Sequence, residues 1–182
     1  GSISSWGRSE PGATARAVLA CDWILESAIA HEQIEVQFQP QIEPRTGRVM
    51  GAEALARSSI AETADELFAR ASAAGLEERL SRLVQKKALH SAAVWEGPLR
   101  GLKLSLNLLP QEISRAGFDQ WLLDEIGAVG IDPSRITVEI TENALLVGQE
   151  MVAERLGRLR EAGISIAIDD FGTGYARLAY LT

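Results

Sequence analysis

The sequence predicts an incomplete α/β barrel of the TIM type, with about five strands and an antiparallel first strand. Strand and helix patterns alternate along most of the chain, which is typical of a parallel sheet with helices outside it. Each predicted parallel strand is polar on one face only. The turn at 43–47, between the first two strands, is too short for a parallel crossover. A complete barrel of this type has eight strands and about 250 residues, so we expect part of one.

The element boundaries follow from the spacing of the apolar residues. Helical spacing predicts helices, whereas alternation or a short apolar run predicts strands. The predicted strands are 34–42, 48–55, 102–108, 135–140 and 164–169. The predicted helices are 13–31, 63–74, 77–95, 110–127 and 149–163. Cys21, Trp23, Trp95 and Trp121 fall in the helical patterns, and we expect them to be buried.

Side-chain parity favours a barrel over a flat sheet. In strand 102–108, Leu104 and Leu106 share the apolar face, whereas Ser105 and Asn107 share the polar one. The next two predicted strands alternate in the same way. A doubly wound sheet covered on both faces would make its central strands apolar throughout. We therefore expect apolar side chains outward against the helices and polar side chains inward near the barrel mouth.

Composition and charge exclude several classes of protein. The net charge of -7, without a basic run, argues against a partner that is a nucleic-acid polymer. No apolar run approaches the roughly 20 residues that cross a bilayer, and no signal-peptide pattern is present. The one cysteine excludes an internal disulfide. We therefore expect a cytoplasmic domain with no membrane segment in this chain.

Four acids and one amide occur near the carboxyl ends of the predicted strands. They are Glu53, Asn107, Glu139, Asp169 and Asp170. Strand ends converge in a barrel, and two carboxylates about 4 Å apart repel by roughly 4 kcal/mol at an effective dielectric near 20. Carboxylate and amide oxygens without His or Cys suit Mg²⁺ or Mn²⁺. The sequence therefore predicts a Mg²⁺ or Mn²⁺ site, in which the adjacent Asp169 and Asp170 could serve two ions.

Simpler roles remain open for single members of this set. A lone aspartate at a strand end, such as Asp170, is more often a helix cap or a loop hydrogen-bonder than a ligand. Gly172 and Gly174 indicate a tight loop, and their spacing fits neither the phosphate-loop nor the dinucleotide fingerprint. Five such residues at successive strand ends favour the metal site.

Four segments together carry a family signature. They are FQPQIEPRTGRVMGAEALAR (38–57), LSLNLLP (104–110), ITVEITENALL (136–146) and IAIDDFGTGYARLAYL (166–181). These segments resemble, in the same order, the motifs of the EAL domain family, phosphodiesterases that hydrolyse cyclic di-GMP to linear pGpG. The resemblance implies that 13–182 is the N-terminal part of an EAL barrel. Residues 1–12 read as an expression scar and a flexible lead-in.

The resemblance implies a metal role for each of the strand-end residues. Glu53, Asn107, Glu139 and Asp169 match the family's ligands for a first metal ion. Asp170, with or without Asp169, matches a ligand for a second. The implied mechanism is in-line attack by a metal-activated water, with Glu53, Asp169 and Asp170 as the catalytic residues.

The resemblance also implies a substrate pocket and a regulatory loop. Arg57 matches the arginine that contacts a substrate phosphate, and Gln39 and Leu55 match positions that line the dinucleotide pocket. Glu142 matches the glutamate that anchors the loop 171–175. The family further implies a homodimer and an upstream sensory or GGDEF-type domain in the parent protein.

Two departures from the family pattern limit these expectations. Ser58 stands where the family usually has a tryptophan. The Lys-x-Asp motif of the next strand, and a later Glu and Gln, have no counterpart before Thr182, so we expect impaired hydrolysis by this chain alone. Two alternatives therefore stay open: a non-catalytic module that binds cyclic di-GMP, and a dimerising module that binds a protein.

Overall fold

The strands form one sheet whose order follows the chain. The computed structural model describes residues 21–146, 149–169 and 179–180, the last two by their backbone only. The strands are β1 (Glu35–Ile42), β2 (Val49–Arg57), β3 (Lys103–Leu108), β4 (Ile136–Thr141), β5 (Ser165–Asp169) and β6 (Ala179–Tyr180). β1 is antiparallel to β2, β2 to β5 are parallel, and β6 is antiparallel to β5. The five predicted strands are confirmed, and the two-residue β6 was not foreseen.

Seven α-helices occupy the described part of the chain. They are α1 (Trp23–Ala30), α2 (Ala64–Ala74), α3 (Glu77–Ala93), α4 (Pro110–Ser114), α5 (Phe118–Val129), α6 (Glu142–Leu146) and α7 (Gln149–Glu161). Thr63 caps α2, because its side chain accepts a hydrogen bond from the Glu66 N–H. Gly75 ends that helix in the left-handed conformation, which glycine adopts without strain.

The sheet is curved, with its polar face on the concave side. Nε2 of Gln41 on β1 lies 3.0 Å from Oε1 of Glu139 on β4. These strands are three positions apart, and in a flat sheet their backbones would be about 14 Å apart. The curvature and the antiparallel first strand agree with the predicted barrel, of which this sheet forms an arc.

The apolar face of the sheet packs against the helices, as parity predicted. Leu104, Leu106, Ile136 and Val138 are fully buried there. They join a core to which α3, α5 and α7 also contribute, for example through Phe118. A smaller core fills the space beneath α1, α2 and α3. The helices therefore fix the apolar side of each strand, which leaves the alternate side chains to project into the concavity.

Three expectations about helices and buried residues were wrong. The predicted helix 110–127 is two helices, because the chain is extended at Arg115 and left-handed at Gly117 between α4 and α5. The short helix α6 was not predicted. Cys21 precedes α1 and is exposed. Trp23 is 75% exposed, because α1 buries its opposite side through Leu25.

Candidate metal and active site

Three predicted ligands meet on the concave face of the sheet. Asn107 on β3 pairs in register with Glu139 on β4, so their side chains are neighbours on that face. Glu53 on β2 is in register with Ser105, two residues before Asn107. All three ligands line a cavity of about 360 Å³ at the carboxyl ends of the parallel strands. Parallel strands thus bring together residues that are 54 and 32 positions apart in the chain.

Glu53 and Asn107 are joined by a side-chain hydrogen bond. The Nδ2 of Asn107 donates to Oε1 of Glu53 at 3.2 Å. Because the amide nitrogen is used in this way, the amide oxygen of Asn107 is the atom left for a cation. A carboxylate oxygen and an amide oxygen are therefore held side by side.

Glu139 is the most enclosed member of the site. Glu139 is only 8% exposed, and its carboxylate is a neighbour of the Glu53 carboxylate. Burial, followed by the neighbouring Glu53 carboxylate, raises the pKa of Glu139 to about 7, and the hydrogen bond from Gln41 opposes this rise. Two acids that repel each other in a partly dry site are stabilised by a bound cation.

Asp169 lies at the edge of this group. It ends β5 opposite Thr141, is exposed, and lines the same cavity. Within residues 21–146 and 149–169, no three Asp, Glu, His or Cys side chains come close enough to hold a metal ion by themselves. Asp170 and the loop 171–175 lie outside the described residues. The compact set is thus two carboxylates and one amide oxygen.

The chemistry of this set fits a divalent cation with a preference for oxygen. Glu53, Asn107 and Glu139 offer only oxygen atoms, which suits Mg²⁺, Mn²⁺ or Ca²⁺ rather than Zn²⁺. The negative charges of the two glutamates attract a cation, and a bound cation relieves their mutual repulsion. On these residues, the predicted metal site is chemically reasonable.

The residues expected to bind substrate are distributed around the rim. Leu55 is half-buried and lines the cavity, two residues after Glu53 on the same face of β2. Arg57, at the end of β2, donates from Nε to Oε1 of Gln37 at 3.1 Å. Gln39 is exposed and in register with Glu53. Glu142 is exposed and begins α6 immediately after β4.

Sequence reasoning did not single out Gln41 and Ser105. Gln41 donates to Glu139, and the hydroxyl of Ser105 donates to Oε1 of Gln41 at 3.0 Å. Alternation along their strands puts both residues on the polar face, which is the signal that was available. The contact of Gln41 with Glu139 depends on the curvature of the sheet, which alternation does not measure.

A second polar cluster lies behind the cavity. β2 and β3 pair over three residues only, and beyond that pairing the cavity extends to α3. There Gln85, which is 2% exposed, donates from Nε2 to Oε1 of the buried Glu112 at 3.0 Å. Burial raises the pKa of Glu112 to about 7, although N–H donors from Leu109 and Gln85 oppose it. Among the described residues, Oε1 of Gln85 has no hydrogen-bond partner.

The sequence profile of the EAL domain matches residues 23–182. The chain belongs to the EAL domain family. The match covers all six strands, and it includes the residues that line the cavity. The family assignment made from the four motifs is therefore confirmed.

Several curated EAL proteins are similar to this chain over most of its length. PdeB of Escherichia coli (strain K12), named as a probable cyclic di-GMP phosphodiesterase, is 32% identical over 161 residues, covering 86% of this chain and 31% of PdeB. A signaling protein of Caulobacter vibrioides is 34% identical over 161 residues, covering 86% of this chain and 20% of that protein. This EAL chain thus spans between about a fifth and a third of these relatives.

Solved EAL structures share its fold. The PaMucR phosphodiesterase, in complex with c-di-GMP, superposes with a TM-score of 0.74 at 25% identity, over 84% of this chain and 64% of that one. Klebsiella pneumoniae BlrP1, in a complex with manganese and cyclic di-GMP, gives a TM-score of 0.65 at 33% identity, over 79% and 36% of the two chains. The incomplete TIM-like barrel is confirmed by these neighbours. No helix among the described residues has the length and apolarity needed to cross a membrane.

Proposed function

We propose that this EAL chain carries the metal-binding and substrate-binding part of a phosphodiesterase that hydrolyses cyclic di-GMP to pGpG. The observation that carries the proposal is the grouping of Glu53, Asn107 and Glu139 at the carboxyl ends of adjacent parallel strands. Two glutamates that repel each other in a partly buried site destabilise the metal-free fold. Such a cost is typical of sites that bind ligands.

The metal ions of the proposed enzyme are Mg²⁺ or Mn²⁺. Glu53, Asn107, Glu139 and Asp169 would hold the first ion, and Asp170, together with Asp169, the second. Divalent cations make water a better nucleophile at neutral pH and neutralise charge on a phosphodiester. The chain's own contribution is to hold its oxygen ligands in a fixed arrangement, with Asn107 orienting Glu53 and Gln41 orienting Glu139.

The substrate would lie across the cavity mouth. Arg57 supplies a fixed positive charge for a phosphate, and its bond to Gln37 orients the guanidinium. Leu55 and Gln39 would line the dinucleotide pocket on either side of β2. Glu142 would anchor the loop 171–175, through which the family resemblance suggests coupling to a homodimer. An upstream sensory or GGDEF-type domain, and a location in the cytoplasm, complete the proposal.

The test is hydrolysis of cyclic di-GMP, followed by chromatographic detection of pGpG with Mg²⁺ or Mn²⁺ present. Glu139→Gln should abolish turnover, whereas Glu154→Gln, an exposed acid on α7, should leave it unchanged. The assay is made with the 182-residue chain and with the full domain where the parent gene extends it. Slow turnover by the 182-residue chain is expected, and brisk turnover would overturn the expected impairment. Absence of pGpG from both forms would overturn the enzymatic proposal.

A second candidate is a receptor that binds cyclic di-GMP without cleaving it. It is favoured by one observation: within the described residues no three acidic, histidine or cysteine side chains are close enough to hold a metal ion, although Asp169 lines the same cavity. Calorimetry that detects cyclic di-GMP binding, together with no pGpG over long incubation, would support this candidate. A dimerising interaction module would instead show a concentration-dependent mass without any binding of the dinucleotide.

A further inference from the structure

Gln41 connects three strands through its side-chain amide. It reaches from β1 over the concave face, donates from Nε2 to Glu139 on β4, and accepts from the Ser105 hydroxyl on β3. Both bonds are 3.0 Å long. One of the two carboxylate oxygens of Glu139 is thereby engaged by a neutral donor that belongs to the protein.

The orientation of the Gln41 amide is determined by its two partners. A rotated amide would place its oxygen against the carboxylate oxygen of Glu139, and two acceptors would then face each other. In the observed orientation the hydroxyl proton of Ser105 satisfies the amide oxygen, and the amide NH₂ faces the carboxylate. Ser105 therefore keeps the donor of Gln41 directed at Glu139.

The backbone makes room for this side chain. Gln41 is in register with Gly51 on β2, and the pairing of β1 with β2 is irregular between Gln41 and Ile42. A Cβ at Gly51 would lie 3.2 Å from Oε1 of Gln41 and 2.8 Å from the Lys103 carbonyl oxygen. A glycine and a strand irregularity, which commonly redirects a side chain near a functional site, thus coincide at Gln41.

We propose that Gln41 is a metal-selectivity residue, which holds Glu139 as a one-oxygen ligand and so favours Mg²⁺ or Mn²⁺ over Ca²⁺. Ca²⁺ takes six to eight oxygens and often binds both oxygens of a carboxylate, whereas Mg²⁺ requires a near-octahedral shell with short bonds. The hydrogen bond from Gln41 occupies one of the two lone-pair sites of Oε1, which disfavours the two-oxygen binding that Ca²⁺ would use. This inference rests on the metal site of the proposed function, and Gln41 acts as a positioning residue.

The test compares the binding of two cations in the absence of any nucleotide. Mn²⁺ binding to the 182-residue chain is measured from the paramagnetic resonance signal of free Mn²⁺, and Ca²⁺ binding is measured by calorimetry. Gln41→Met keeps the length of the side chain and removes both polar atoms. We expect the ratio of the Mn²⁺ to the Ca²⁺ association constant to fall roughly tenfold, the equivalent of one charge-assisted hydrogen bond. Gln120→Met, at an exposed glutamine on α5, should leave the ratio unchanged.

Ser105→Ala provides a second, milder variant, which tests the same idea if Gln41→Met fails to fold. It frees the Gln41 amide to rotate, so the ratio should fall in the same direction by a smaller factor. A general loss of structure would lower the affinity for both cations together and leave the ratio of their association constants constant. An unchanged ratio in a variant that folds, or a wild-type chain that binds neither cation, overturns the selectivity role. Normal selectivity without formation of pGpG would count only against the phosphodiesterase proposal.

Discussion

Asn107 donates a hydrogen bond from Nδ2 to Oε1 of Glu53, at 3.2 Å across the concave face of the sheet. The two residues come from different strands and are 54 positions apart. Their bond uses the amide nitrogen of Asn107 and leaves its amide oxygen available, and Glu139 is in register with Asn107 on the next strand. The Asn107 amide stabilises the negative charge of Glu53 only in part, because one neutral donor does not offset the repulsion between the Glu53 and Glu139 carboxylates.

Removal of the Glu53 charge should stabilise the metal-free protein and weaken its metal site. We expect Glu53→Gln to raise the free energy of unfolding in chelator by about 1 kcal/mol, since the Glu53 carboxylate no longer repels Glu139. The same variant should lose most of its Mn²⁺ affinity. Urea denaturation and a Mn²⁺ titration measure the two effects. Glu154→Gln is the control, and a Glu53→Gln protein that is less stable than wild type in chelator would contradict the repulsion.

The buried Glu112 should make stability depend on pH. Its pKa is about 7 in the folded protein and 4.5 when exposed, so the folded state binds more protons between these values. Stability should therefore fall as pH rises through this window, by roughly 3 kcal/mol from this residue. Glu139 contributes a decrease of the same sign. Urea denaturation at pH 5 and at pH 8 measures the total difference.

Glu112→Gln separates the two contributions. A glutamine retains an acceptor for the Leu109 N–H, and its amide can donate to Gln85, whose Oε1 has no partner within the part of the chain that the structure describes. We expect a smaller difference between pH 5 and pH 8 and a gain in stability at pH 8. Glu154→Gln should keep the full difference. An identical pH profile for Glu112→Gln and wild type would show that Glu112 ionises normally in the fold.

An alanine at Gly51 should destabilise the sheet. The added Cβ would meet the Lys103 carbonyl oxygen at 2.8 Å, and that backbone atom is held in the ladder between β2 and β3. We expect Gly51→Ala to lower the free energy of unfolding by about 1–3 kcal/mol. Gly127→Ala, in α5 with open space around it, should instead raise it by about 0.5–1 kcal/mol. Two changes of the same sign, measured by urea denaturation, would contradict the steric argument.

Loss of the Arg57 charge should weaken substrate binding more than metal binding. We expect Arg57→Met to raise the dissociation constant for cyclic di-GMP about tenfold or more, because a charged donor to a phosphate is lost. Mn²⁺ affinity should not change. Arg100→Met removes an equal charge from an exposed position and should leave both constants near wild type. Calorimetry with each ligand makes the comparison, and equal losses in the two variants would indicate general electrostatics rather than a contact.

The sequence was sufficient to predict the strands and the polar face of the site. Alternation in 102–108 placed Ser105 and Asn107 on one side, and the structure has both on the concave face. Acids at strand ends identified Glu53 and Glu139 as companions, since parallel strands end at one edge. These predictions depend only on a period of two residues and on strand order.

The rest depended on features that alternation does not record. The curvature that brings Gln41 to Glu139 is a property of the whole sheet, and the break before Phe118 arises from a left-handed Gly117 within an apolar pattern. The Gln85–Glu112 pair needed α3 and α4 to be packed together. Whether Asp170 completes the site stays a prediction, since it lies outside the described residues.

Because strand order follows chain order, the sheet can grow by adding each new strand beside the previous one. Every pair of hydrogen-bonded strands is then consecutive in the sequence, so the loops that must close during folding are short. The Gln41–Glu139 bond is different, since it joins residues 98 positions apart and needs four strands in place. Formation of the proposed cation site would therefore report the assembly of the arc, and Mn²⁺ binding during refolding should follow strand formation rather than accompany it.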